Sequence, residues 1–290
     1  MGGGVTAELA FLAATDGARL PYRRFPAADD AEPRAGVVHV HGIQSHGGWY
    51  VDTARELARR GFTVLLSDRR GSGASVGPRG HFDRRSQLVD DVRAFVELAR
   101  REAPGRPVIL VGGCWGVRPA VAAARRMQDE LAGLALVCPA VKVTVDLTPL
   151  EKAKVLAGTV LRPRARVRVP LTPEMFTSNP HWVEYIRTDP LALREVTARF
   201  YFETARFDRE IARERGLRLP MLLLRSGADP IVDGEAVDRW FARMPSDRKE
   251  TVVYPGFGHI PDFEEERERY WDDLSSWMER TASAPGGRAA

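Results

Sequence analysis

Six short runs of mostly apolar residues punctuate the chain, at Val37 to Val40, Thr63 to Ser67, Val108 to Val111, Leu134 to Val137, Met221 to Leu224 and Thr251 to Tyr254. Runs of this length without polar alternation are expected of parallel strands covered on both faces. Between them the apolar spacing becomes helical, near Thr53 to Arg60, Ser86 to Arg101, Arg118 to Gln128 and Glu235 to Arg243, with a last helix predicted near Phe263 to Met278. Strands alternating with helices predict an α/β fold, a mostly parallel doubly wound sheet with right-handed crossovers and helices on both faces.

The rhythm breaks between Pro139 and Leu219, where about eighty residues separate two strands that need a connection of only a dozen or so. The pattern therefore divides the chain into a core of residues 1–138 and 220–281, an inserted helical cap of residues 139–219, and a loose tail of residues 282–290. Inside the insertion, Thr172 and Pro173 suit a helix N-cap and first helical position, and aromatics gather at Phe200, Tyr201, Phe202 and Phe207. The run from Arg162 to Arg168 reads as an exposed hinge.

Of the 290 residues, 44% are hydrophobic and 28% charged, enough apolar side chain for a sizeable core. Lysine and arginine number 43 against 39 acids, giving a net charge of +4. The basic residues are interleaved with acids, as in Asp208-Arg209-Glu210, so no stripe suited to a phosphate backbone forms and no nucleic-acid partner is expected. Two cysteines, Cys114 and Cys138, make no disulfide framework, and no apolar run reaches the length of a membrane span. A cytoplasmic location and no stable membrane anchor are expected, although Met1 to Thr6 fits a myristoylation pattern by its glycines. No metal-ligand spacing, dinucleotide fingerprint or P-loop occurs, so no cofactor and no metal are expected.

Gly112-Gly113-Cys114-Trp115-Gly116 follows one predicted strand and precedes a helix, the context of a nucleophile elbow, G-x-S-x-G, with cysteine in the serine position. The sharp turn requires small residues two positions to either side, and Gly112 and Gly116 stand there. The competing reading of Cys114 is a buried structural cysteine. An acid and then a histidine should follow in the chain. Asp229 lies just after the strand ending at Leu224, with Asp233 as the alternative acid, and His259 follows the strand ending at Tyr254. All three then fall at the carboxyl edge of the sheet, where open α/β sheets place their sites. His39 reads as core, His81 and His181 as residues of polar loops, Asp262 as a cap for the last helix and Cys138 as core. The backbone N–H groups of Ile43, in the loop after Val40, and of Trp115 are the expected oxyanion donors. Trp49, Tyr50, Phe176 and Phe202 are candidates for an apolar acyl pocket, some of which are expected simply to pack the cap on the sheet.

The run His41-Gly42-Ile43-Gln44-Ser45-His46-Gly47-Gly48-Trp49-Tyr50 resembles the HGxxxHxxxY loop of serine α/β-hydrolases of the monoacylglycerol lipase and lysophospholipase type, and Asp68 to Gly77 resembles their D-x-x-G-x-G-x-S-x-G turn. The likeness covers most of the chain and implies an α/β-hydrolase fold with Asp229 and His259 as triad members. The elbow departs from that family's G-H-S-x-G-G, with Gly113, Cys114 and Val117 at the differing positions, and is similar instead to that of dienelactone hydrolase, a Cys-His-Asp member of the same fold. The chain is thus expected to act on a small-molecule acyl substrate, an ester, thioester or carrier-bound acyl group, through an acyl-Cys114 intermediate. Three classes remain open: an acyl hydrolase, an acyltransferase or cyclising enzyme, and a silent ligand-binding protein on this fold.

Overall fold

The computed structural model describes residues 8–28 and 32–284. In chain order the elements are β1 (Leu9–Ala13), β2 (Arg19–Phe25), β3 (Ala35–Val40), α1 (Val51–Arg59), β4 (Phe62–Ser67), α2 (Arg85–Glu102), β5 (Val108–Gly113), α3 (Val117–Arg126) and β6 (Gly133–Val137). The insertion follows with α4 (Pro149–Leu161), β7 (Arg166–Arg168), α5 (Pro180–Thr188), β8 (Glu195–Thr197) and α6 (Ala198–Ala212). The chain then returns through β9 (Met221–Ser226), α7 (Gly234–Ala242), β10 (Lys249–Tyr254) and α8 (Arg267–Ser283).

Among the described residues, eight strands form one sheet in the order β1-β2-β4-β3-β5-β6-β9-β10. From β4 to β10 every neighbouring pair is parallel, whereas β2 runs antiparallel to both β4 and β1. This is the α/β-hydrolase fold. The central strands β3, β4, β5 and β6 are buried at every position, which is why their sequences run apolar instead of alternating.

The pattern of apolar runs did not reveal β1 and β2. No position of β1, at the sheet edge, is fully buried, and β2 mixes buried, partly buried and exposed positions, while Pro21 within β2 argues against a strand from sequence alone. The pair β7–β8 is only three residues long on each side and escaped notice for that reason. Thr172 and Pro173 start a single 3-10 turn, Pro173–Met175, in which the Thr172 side chain makes no cap bond. The last helix begins at Arg267, and Asp262 does not cap it: its carboxylate is buried and accepts from the Thr53 hydroxyl. Thr281 to Ser283 belong to α8, and the Met1 to Thr6 motif and the rest of the tail lie outside the described residues. No helix among the described residues is long and apolar enough to cross a membrane.

Within the insertion, α4 is capped by Thr148, whose hydroxyl accepts from the Glu151 N–H while Glu151 reaches back to the Thr148 N–H. Its outer face leaves Leu150, Val160 and Leu161 exposed. Helix α6 is held more firmly: Phe200, Phe207 and Ile211 are buried against the core, and its Thr197 cap bonds the Phe200 N–H.

Candidate active site

Strand β5 ends at Gly113 and the chain turns at once into a 3-10 turn, Cys114–Gly116, and then α3. Cys114 sits at φ 49°, in the left-handed region that a β-carbon disfavours. The flanking glycines let the turn close. A β-carbon at Gly112 would lie 2.9 Å from that of Ala120, and one at Gly116 would run into the Val40 and His41 carbonyl oxygens. The strain therefore aims the Cys114 side chain away from the strand, toward the sheet edge.

His259 lies beyond β10 and is almost fully buried. Its Nδ1 is 2.7 Å from Asp229 Oδ2, while Asp229 Oδ1 accepts from the N–H groups of Ile231 and Val232 at 2.8 and 3.1 Å. The carboxylate is thus fixed by backbone on one side and holds the imidazole on the other. Nδ1 is the donor in this pair, which leaves Nε2, buried and without an oxygen or nitrogen partner among the described residues, to face Cys114. Asp233, the alternative acid, caps α7 by accepting from the Ala236 N–H at 2.9 Å.

Electrostatics couple the two groups. Burial alone would raise the Cys114 thiol, but the charge of His259, the contact with its ring and the Trp115 N–H outweigh it, and the net shift is downward. His259 moves the opposite way: burial pulls it down, and the charges of Cys114 and Asp229 push it above the usual imidazole range. Together these shifts favour a thiolate–imidazolium pair. Cys138 shows the contrast. It too is buried and at positive φ (43°), one strand over at the end of β6, yet burial drives its thiol upward and its sulfur lies 3.4 Å from Ser226 Oγ.

The loop after β3 is locked by two residues to which the sequence pattern assigned no role at the site. His41 is buried, and its Nε2 accepts from the Arg69 N–H at 3.1 Å, so its Nδ1 donates to Gly42 O at 2.9 Å. Burial and the Arg69 charge keep it neutral, well below the usual imidazole range. The Arg69 guanidinium, also buried, donates to the Gly42 and Ile43 carbonyls at 3.2 and 2.6 Å and stacks over Trp115, 4.7 Å from its centroid. With both carbonyls tied down, the peptide N–H groups of this loop have a fixed orientation beside Cys114. The signal was present in the sequence as the arginine after Asp68, inside a turn that reads as purely structural.

Two cavities meet at Cys114. A small one of about 20 Å³ is lined by Cys114, Cys138, His259, Tyr50 and Phe176. A larger one of about 490 Å³ extends from Cys114, Trp115 and Ile43 to the insertion, where Leu147, Leu156, Tyr201 and Phe202 form much of its wall. Tyr50 and Phe176 thus line the small cavity and Phe202 the large one, each together with Cys114. Trp49 does not: it lines neither cavity, and its indole N–H donates to Asp189 at 2.7 Å while its ring packs on Phe176 and Phe263. Asp189 also accepts from His46 Nε2 at 3.0 Å, so the loop's second histidine and its tryptophan fasten the end of α5 to the core. His39 is buried against the Tyr50 ring at 4.3 Å. His81, expected in a polar loop, is buried between Thr197 and Asp83, at 3.0 and 3.1 Å. Among the described residues no cluster of three or more His, Cys, Asp or Glu side chains could hold a metal ion.

The sequence profile of the family described as "Serine aminopeptidase, S33" matches residues 31–266. A phospholipase of Bacillus subtilis is 28% identical over 242 residues, covering 81% of this chain and 92% of that protein. A monoacylglycerol lipase of Mycolicibacterium smegmatis is also 28% identical, over 253 residues, covering 86% and 89%. Among solved structures, a soluble variant of monoglyceride lipase from Saccharomyces cerevisiae in complex with a substrate analogue superposes with a TM-score of 0.85 over 97% of each chain, at 19% identity. At that identity the likeness speaks for the fold.

Proposed function

From the premise that this chain belongs to the serine aminopeptidase S33 family of α/β-hydrolases, we propose that it is an acyl hydrolase whose nucleophile is Cys114 and whose substrates are esters or thioesters with an apolar acyl group. The observation that carries the reading is the elbow itself. A cysteine held at positive φ at the end of β5, with its thiol pulled down by His259 and that imidazole fixed by Asp229, has the geometry and charge of an activated nucleophile. Cys138 shares the positive φ but faces a hydroxyl and has its thiol driven upward, so the imidazole partner and the lowered thiol are what set Cys114 apart. The relatives named a monoacylglycerol lipase and a phospholipase, together with the apolar cavity wall, support a lipid-like carboxylic ester.

In this mechanism the Cys114 thiolate attacks the carbonyl carbon, and the oxyanion is received by the Ile43 and Trp115 N–H groups. Losing one such donor typically costs about 10² to 10³ in rate. His259 gives its proton to the departing alcohol or thiol as the tetrahedral species collapses to the acyl-thioester. The now neutral imidazole takes a proton from water, the hydroxide attacks the thioester, and the acid leaves with thiolate and imidazolium restored. Tyr50, Phe176 and Phe202 are proposed to wall the acyl group.

A second reading, acyl transfer or cyclisation, is favoured by one observation: cysteine stands in a family described by its serine. A thioester intermediate yields to amines and thiols more readily, relative to water, than an oxygen ester does. The test is intact-mass spectrometry after brief exposure to p-nitrophenyl esters and acyl thioesters. Acyl adducts on wild type that vanish in Cys114→Ala are expected; adducts that persist in Cys114→Ala sink the assignment. Product that stays free acid whatever amine or thiol is supplied removes the transfer reading.

A further inference from the structure

Resting on that reading of Cys114, we infer that the large cavity contains an anion subsite built on Arg118, and that the preferred substrates carry a carboxylate on the acyl side, a few atoms from the reacting carbonyl. Arg118 is the second residue of α3, one helical turn beyond the nucleophile, and lines the same cavity as Cys114. It is 5% exposed. An arginine so deeply buried, with Val117, Ala120 and Val121 buried around it on the same helix, is costly unless its donors are met.

They are not met by the protein. Guanidinium offers five N–H donors. Nε donates to Asp208 Oδ1 at 2.7 Å, and the Trp115 ring lies 5.9 Å from the guanidinium carbon. Nη1 is buried without an acceptor, and no bond reaches Nη2 from the described residues. Asp208 and Trp115 thus hold the guanidinium while its Nη groups stay unpaired on a residue that lines the cavity, the donors an entering carboxylate would meet. Asp208 neutralises much of the charge, but Arg209 and Lys152 also line the cavity against one further acid, Asp146, to which Lys152 is paired at 2.5 Å. An entering carboxylate meets a balance of three cations to two anions.

The position also selects the side of the substrate. Only three residues separate Cys114 from Arg118, across the turn into α3, and the two line the same cavity, so the guanidinium lies within reach of a short acyl chain on Cys114. A phosphate at the far end of a carrier's pantetheine arm belongs to the leaving group and sits well beyond one helical turn. The subsite therefore fits half-esters or half-thioesters of dicarboxylic acids, or acyl groups with an equivalent acid. The chemistry is unchanged: ester plus water gives the diacid and an alcohol, through an acyl-Cys114 that carries the second carboxylate to the Arg118 Nη groups.

The test compares p-nitrophenyl hemiglutarate with p-nitrophenyl valerate in wild type, Arg118→Gln, Arg118→Lys and Asp208→Asn. The readout is the ratio of kcat/KM for the anionic over the neutral ester, which cancels any general loss of folded enzyme. Wild type is expected to favour hemiglutarate, and Arg118→Gln to lower the ratio by about 10- to 100-fold, mainly through KM. Arg118→Lys should recover part of it and Asp208→Asn should raise it. A ratio that is the same in wild type and Arg118→Gln overturns the subsite. A matched pair, butyryl-CoA against butyryl N-acetylcysteamine, should not depend on Arg118; if the loss appears there instead, the acyl-side assignment is wrong. Calorimetric titration of monoethyl glutarate into Cys114→Ala, with and without Arg118→Gln, reads the subsite without turnover. Saturable binding that needs Arg118 is expected, and its absence from both overturns the inference. Turnover of the neutral ester that survives in Cys114→Ala would sink the catalytic assignment alone, leaving the titration to decide the subsite.

Discussion

Cys114 and Phe202 line the same cavity, one from the sheet and one from the insertion, and they are held in different ways. The sheet-side groups are fixed by backbone geometry and buried hydrogen bonds: Cys114 by the strained turn between β5 and α3, Asp229 by two peptide N–H groups, His259 by the Asp229 carboxylate, and the Ile43 loop by the His41 ring and the Arg69 guanidinium. The insertion side offers side chains on helices, and α4 among them turns Leu150, Val160 and Leu161 to solvent. Chemistry demands positions held to fractions of an ångström, whereas an acyl wall needs only shape and apolarity. Substitutions on the two sides should therefore differ in kind: loss of rate or fold from the sheet, change of selectivity from the insertion.

The sharpest break of that contrast comes from the proposed triad. Cys114→Ala is expected to lower kcat for a p-nitrophenyl ester by about 10⁴-fold or more, and Asp229→Asn by about 10⁴-fold, with the double variant little worse than the worse single one, because the groups act as a unit. Steady-state kinetics on both variants and their combination check this. Additive losses would show that the groups do not share a step.

Next in size is Gly116→Ala. Its β-carbon has nowhere to go between two backbone carbonyls of the β3 loop, and backbone cannot repack as a side chain does. A destabilisation of about 3 kcal/mol is expected by denaturant unfolding. A change under about 1 kcal/mol would mean that the elbow turn relaxes easily and that the φ of Cys114 is not enforced by its neighbours.

A titration sharpens the sheet side further. A free thiol near ~8.5 and a free imidazole near ~6.5 would leave both neutral between those values. Here the thiol is lowered and the imidazole raised, so the order inverts: thiolate exists above the lowered cysteine value, imidazolium below the raised histidine value, and the reactive pair fills the window between. Alkylation of Cys114 by iodoacetamide, followed across pH, should have its midpoint below that of a free thiol and run faster than a free thiol on the acid side of ~8.5. His259→Ala should lose the advantage. An alkylation midpoint near that of a free thiol would refute the ion pair.

On the insertion side, Phe202→Ala should leave short esters within about 3-fold and reduce the preference for longer chains by about 10-fold, with stability changed by under about 1 kcal/mol. Chain-length profiles of kcat/KM decide it. A uniform loss across chain lengths would place Phe202 in the reaction geometry instead of the acyl wall.

How much could be read from the chain follows the same division. The buried central strands, the elbow glycines and the order Cys114, Asp229, His259 were legible because burial on both faces and a tight turn leave few residue choices. The edge strand β1 and its neighbour β2 were not, since partly exposed positions tolerate Arg23 and Arg24, and even Pro21 stands within β2. Nor did the pattern reveal that Asp189 would gather His46 and Trp49, or that Arg69 and Arg118 would be buried against Trp115. The Asp189 and Arg69 contacts join positions far apart in the chain, and arginine, Arg118 included, carries a strong expectation of exposure. Trp49, named as a pocket residue for its aromaticity, shows the converse error: its polar edge found a carboxylate, and its ring became packing.

The smallest effect is expected at the outer face of α4. Val160 and Leu161 are 82% and 78% exposed, so folding removes little of their surface from water, and the area they do bury stabilises the fold only marginally. Val160→Thr and Leu161→Gln should therefore shift the unfolding free energy by no more than about 0.5 kcal/mol, even though the same chemical change at a buried valine such as Val38, 0% exposed in β3, would cost several times more. Both substitutions keep the helix: glutamine is close to leucine in propensity and threonine close to valine, so neither backbone preference nor the Thr148 cap is disturbed. Turnover of p-nitrophenyl valerate should also hold, because neither residue lines the cavity at Cys114. Denaturant midpoints of the two variants measured at high and low protein concentration decide the matter. A loss above about 1 kcal/mol that grows with concentration would show that this face is buried against a second copy in solution, and the contrast between a fixed sheet edge and a loosely held insertion would then apply only to the isolated chain.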